Sequence, residues 1–179
     1  MKEFQMKKMM RDKLELAITE LGKSIELDPT DADTYILRGE AYIGLGQYSK
    51  AIADSDAVIK LNPKNACAYN MRGKAYLGQG NHKKAIKNFD KAIMFKSEYP
   101  EAFALRGCAY KAMWQTKLAI ADLEKAFELN PELDWVEREL HDARGKNRYF
   151  ENIVATVAKG GGLVPGGYII SPKKTEWVF

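Results

Sequence analysis

The chain has 179 residues, of which 46% are apolar and 29% charged, and its formal net charge is +4. That is room for one domain or two small ones, too apolar a chain for disorder, and too weak a basic excess to indicate a nucleic-acid partner. Two cysteines, Cys67 and Cys108, do not make a disulfide framework and point to an intracellular, cytoplasmic setting. The opening MKEFQMKKMMRDK has charge but no apolar centre, so no secretory signal is expected there. Apolar runs fall well short of the roughly 20 residues that a spanning helix needs, and no membrane contact is expected.

The first helical pattern is DKLELAITELGKSIELDP, Asp12 to Pro29. The chain after it repeats itself. LRGEAYIGLGQYSKAI (Leu37 to Ile52) returns as MRGKAYLGQGNHKKAI (Met71 to Ile86) and as LRGCAYKAMWQTKLAI (Leu105 to Ile120), at an unvarying interval. Arg38, Arg72 and Arg106 share a column; Gly39, Gly73 and Gly107 the next; then Tyr42, Tyr76 and Tyr110; then Ala51, Ala85 and Ala119. A constant period signals stacked identical units.

Each unit reads as two helices. In the first unit, Tyr35, Gly39, Tyr42 and Ile43 form one stripe, and a break falls at Gly46. The later breaks fall at Gly80 and Trp114. A second helix carries Ala51, Ile52, Val58, Ile59 and Leu61 and stops before Pro63, because proline cannot continue the preceding helix. Glycine within a helix costs roughly 1 kcal/mol against alanine, so its threefold recurrence predicts close helix approach. The units span 32–65, 66–99 and 100–131. Residues 1–31 hold only the second half of an earlier unit, with Ala17, Leu21, Leu27 and Pro29 in register. Their first helix would have to fit into residues 1–11, too few for it. This unit is either degenerate or the remnant of a longer array.

Beyond the third unit, two capping helices are expected within 132–159. One is ELDWVERELHDA (Glu132 to Ala143) and the other runs from Tyr149 to Ala158, with Gly145 between them. Residues 160–179 read as a Gly-rich extended tail with two sticky segments, Tyr168 to Ile170 and Trp177 to Phe179.

These columns resemble those of the tetratricopeptide repeat, with Tyr35, Tyr69 and Phe103 at its usual first-helix aromatic and Pro63 and Pro131 closing units. The likeness covers residues 32–131. It implies an all-α, right-handed α-solenoid of helix-turn-helix units. Two departures, Ser55 where a large residue is usual and Ser97 for proline, predict locally looser packing. The resemblance also implies that the first helices line a concave groove for peptides. Its lining would be Asp33, Ile36, Glu40, Ile43 and Gly44; then Cys67, Asn70, Lys74, Leu77 and Gly78; then Glu101, Ala104, Cys108, Lys111 and Ala112. Apolar anchors beside charges of both signs suit a polypeptide ligand. A sub-class of the family grips the C-terminal carboxylate of chaperones with a lysine and an asparagine in its first helix. Ile36 and Glu40 stand there instead, and Glu40 would repel a carboxylate.

No catalytic, cofactor or metal constellation is present. His82 and His141 are isolated, and Gly160 to Gly167 lacks the residues of a phosphate loop. The expected function is a non-enzymatic scaffold or adaptor that binds a partner peptide. Two alternatives stand beside it. In one, the tail docks in its own or a neighbour's groove, giving a homo-oligomer. In the other, the chain is a targeting arm of a larger enzyme or RNA-associated protein.

Overall fold

The computed structural model describes residues 2–158, 162–164, 168–171 and 174–178. Among them the helices are α1 (Lys2–Leu27), α2 (Ala32–Gly44), α3 (Tyr48–Leu61), α4 (Ala66–Gly78), α5 (His82–Phe95), α6 (Pro100–Ala112), α7 (Thr116–Leu129) and α8 (Asp134–Ala158). Each packs on the next along the chain, and α2, α4, α6 and α8 also touch in sequence. That second row of contacts makes the stack an all-α solenoid with the first helix of every unit on one side.

Local chemistry sets the boundaries. Gly46 and Gly80 take the left-handed conformation at φ 70° and 73°, and Trp114 takes it at φ 60°, so all three expected breaks are left-handed turns. Asn65 Oδ1 accepts from the Ala68 N–H at 3.0 Å and caps α4. Pro100 opens α6 at its first position, where no N–H is required.

The repeated glycines mark close approach. A Cβ on Gly107 would lie 3.1 Å from the Ala119 carbonyl oxygen and 3.0 Å from Leu123 Cγ. On Gly73 it would lie 2.5 Å from Phe89 Cε1, and Phe89 is fully buried. Phe89 and Leu123 are the large residues whose place Ser55 takes in the first unit. The looser packing expected there does not occur. Met71, fully buried, reaches in from the following unit, and its Sδ would be 2.3 Å from a Cβ on Gly39. Ser55 satisfies its own hydroxyl by donating to the Ala51 carbonyl at 2.7 Å.

The arginine column is a ladder. Arg38 donates to Asp54 at 2.6 and 2.9 Å, Arg72 to Asn88 at 2.8 Å, and Arg106 to Asp122 at 2.7 Å through two nitrogens. Arg72 and Arg106 also reach back to Asp56 and Asp90 of the preceding unit. Every one of these partners is 16 residues away in sequence. The guanidinium planes lie over aromatic rings, Arg38 at 5.6 Å from Tyr35 and Arg106 at 5.4 Å from Phe103. Hydrogen bonding to Asp122 and Asp90 outweighs burial and raises the Arg106 pKa further.

The ends of the stack are built differently from the repeat units. α1 is one helix of 26 residues, so residues 2–11 extend it and form no separate first helix. α8 is one helix of 25 residues that runs through Gly145, where two helices were expected. A single glycine costs about 1 kcal/mol, which does not stop a helix held by Val136, Leu140 and Ala143 in a core with Leu123 and Ala126. The extended segments expected in the tail are paired strands where the tail is described. β1 (Gly162–Val164), β2 (Tyr168–Ser171) and β3 (Lys174–Val178) pair antiparallel in that order. Strand pairing satisfies backbone groups that an extended tail would leave to water. The rest of the Gly160 to Gly167 stretch, apart from β1, lies outside the described residues.

Candidate functional site

The concave face is built by the first helices, which the ladder and the glycine contacts hold side by side. At its middle three helices meet on one ammonium group. Lys74 of α4 donates to Glu40 of α2 at 2.7 Å and to Glu101 of α6 at 3.3 Å. Glu101 also accepts from Asn70 Nδ2 at 3.0 Å, so a single carboxylate ties two residues of α4 to α6. Burial alone would lower the Lys74 pKa; the bond to Glu40 and the two carboxylate charges overcome it and hold the ammonium above its usual range.

The groove residues expected from sequence divide into three sets. Glu40, Asn70, Lys74 and Glu101 form the network just described. Ile36, Ile43 and Leu77 are half-buried and Asp33 and Cys67 exposed. Ala104, and Asn70 of the network, offer the groove almost no surface. Ala104 is fully buried with Val136 and Leu140, and Asn70 is only 2% exposed, because each is covered by the following unit. Asn70 nonetheless keeps its Oδ1 buried without a hydrogen-bond partner. Gly44 and Gly78 are close against Leu14 and Tyr48 of the preceding outer helices, which a Cβ would approach to 3.1 and 2.3 Å.

Lys111, the remaining expected cation, turns to α8. It donates to Glu139 and, at 3.0 Å, to Asp142. These two acids were not among the expected groove residues. The signal was present: Asp142 stands one repeat period beyond Cys108, in the column of Glu40 and Lys74. Beside them a hollow of about 240 Å³ is lined by Cys108, Lys111, Ala112, Trp114, Thr116 and Ala143. Burial, then the Glu139 charge, pushes the Cys108 thiol up to about 11, so it is protonated and a poor nucleophile at neutral pH.

Among the described residues no group of three or more His, Cys, Asp or Glu side chains could hold a metal ion, and no helix is long and apolar enough to cross a membrane. β1 and β2 contact α8, and no described strand contacts α2, α4 or α6. The described strands of the tail therefore lie against α8 and not against these three helices.

Tetratricopeptide repeat models match residues 21–53, 66–99 and 100–133, and a TPR repeat model matches 39–80. The chain belongs to the tetratricopeptide repeat family. No curated protein matches it in sequence. Among solved structures, a crystal structure of MamA is 25% identical with a TM-score of 0.66, over 79% of this chain and 83% of that one. The TPR domain of Arabidopsis OM64 is 26% identical with a TM-score of 0.62, over 64% and 95%. The second TPR domain of human RPAP3, solved with the HSP70 peptide SGPTIEEVD, is 29% identical with a TM-score of 0.56, over 60% and 89%.

Proposed function

We propose that the protein is a non-enzymatic adaptor whose concave face takes a basic peptide segment with apolar anchors. Repeats of this family are generally interaction modules rather than enzymes, and a peptide-bound relative supports a peptide ligand. One observation gives the ligand its character. In a chain of net charge +4, the described side chains of the concave face are acid-rich: Asp33, Glu40, Glu101, Asp142 and the Lys111 partner Glu139 stand against Lys74, Lys111 and the register-equivalent Arg138, with Lys146 next in the Gly44 column. The carboxylates accept hydrogen bonds, so the ligand supplies donors. Ile36, Ile43 and Leu77 supply apolar contact.

The same reading separates this groove from that of human RPAP3, whose HSP70 peptide ends in EEVD. Here Glu40 and Glu101 flank the one central cation, and a carboxylate-rich end would meet two like charges. Fluorescence anisotropy with the full chain tests this. A lysine- and leucine-bearing peptide is expected to bind at low salt at least tenfold tighter than SGPTIEEVD, through charge complementarity. Replacing Glu40 and Glu101 by lysine is expected to reverse the order. Tighter binding of the acidic peptide by the unaltered chain would overturn the proposal.

A further inference from the structure

Helix α1 carries two apolar stripes and uses one. Leu14, Ile18, Leu21 and Ile25 recur at helical spacing; Leu14 lies against Gly44 of α2, and Ile25 is buried. α2 is also the only element that α1 packs on among the described residues. The second stripe runs Met6, Met9, Lys13, Leu16, Glu20 and Leu27, stepping by three and four and finally by seven, which is heptad spacing. At 3.6 residues per turn it lies about a third of a turn from the first. Met6 is 58% exposed, Met9 53%, Leu16 63% and Leu27 88%. A row on heptad spacing that holds four large apolar side chains, with Lys13, Glu20 and Lys23 between them, is built to meet another helix.

We propose that the other helix is α1 of a second copy, packed antiparallel about a two-fold axis that passes between Leu16 and Ala17. The charges select this occupant and this direction. Placing the axis there sets Lys13 opposite Glu20 of the second copy, Met6 opposite Leu27, and Leu16 opposite Ala17, each pair occurring twice. A parallel pair would instead set Lys13 against Lys13 and Glu20 against Glu20. Lys13 makes no ion pair within the described residues, whereas the neighbouring Lys7, Arg11 and Lys23 all do. Glu20 meets only Lys23, at 2.8 Å on an exposed turn, a contact of little worth that exchange with Lys13 would replace. An isologous contact of this kind closes as a dimer and leaves no free edge. Among the described residues α1 contacts neither α4 nor α6, the other two helices of the central network.

Sedimentation equilibrium of the full chain tests the proposal, with far-UV circular dichroism confirming that each variant is folded. The unaltered chain is expected to be a dimer at tens of micromolar. Leu16→Glu is expected to give a monomer. Lys13→Glu alone, or Glu20→Lys alone, sets like charges opposite each other twice and is expected to weaken the dimer roughly tenfold. The double variant Lys13→Glu with Glu20→Lys is expected to recover it. A chain that stays monomeric at all concentrations would overturn the proposal and leave the stripe to a different protein's helix. A dimer indifferent to Leu16→Glu would place the contact elsewhere, and failure of the double variant to recover would reject the antiparallel register.

Discussion

Along the packed side of the repeat helices the same chemistry returns once in every unit: an arginine between an aromatic ring and a carboxylate or amide, then a glycine under a large buried side chain. Along the concave side the equivalent places hold Glu40, Lys74, Cys108 and Asp142, four different side chains. The packed side repeats because each interface solves the same geometric problem. The concave side varies because nothing in the stacking requires one residue there, and its groups instead meet one another across units, Glu40 to Lys74 to Glu101 and Lys111 to Glu139. In a repeat protein the columns that vary are therefore the place to look for specificity.

The contrast is tested most severely by making one change on each side. Arg106→Met leaves Asp122 buried and unpaired, and removing one partner of such a pair costs about 3 kcal/mol. Lys74→Met removes an ammonium whose partners Glu40 and Glu101 are 39% and 43% exposed, and solvent limits that loss to under about 1 kcal/mol. Urea denaturation of the two variants should show this ordering; equal losses would mean that the concave network is as structural as the ladder. A smaller effect of opposite sign is expected at the third turn. Trp114 holds a left-handed φ of 60° where the other units have glycine, and its side chain is 74% exposed. Trp114→Gly should raise stability by about 1 kcal/mol, since a left-handed backbone costs L-residues about that much, and the denaturation midpoint would report it. The smallest change extends the ladder. Asp56 and Asp90 serve the arginine that follows them, but the corresponding place before Arg38 is Gly22, whose Cβ would lie 3.9 Å from Arg38 Nη1. Gly22→Asp should add about 0.5 kcal/mol through helix propensity and a new pair, and an unchanged melting temperature would show that the first rung is already saturated.

Much of the fold was legible because its signals are local or periodic. Left-handed turns need glycine or tolerate strain, so Gly46, Gly80 and Trp114 stood at the breaks in the helical stripes. The glycine column announced close helix approach before any neighbour was visible. The arginine column was equally visible, and its partners Asp54, Asn88 and Asp122 form a column of the same period, so the ladder could have been read by pairing the two columns. Less of the site was legible. Register placed Asn70 and Ala104 on the groove, but the following unit covers both, and burial by a neighbouring element leaves no mark in a residue's own column.

By itself, then, the sequence determined the unit: its length, its two helices, its turns and the face on which they pack, because propensity, capping and hydrophobic spacing act within a few residues. Tertiary structure alone decided what crosses between units. It let Met71 fill the space left by Ser55, drew Lys111 to Glu139 and Asp142, and carried α8 unbroken through Gly145. Those outcomes depend on distances between side chains far apart in the chain, which packing sets and local sequence does not encode.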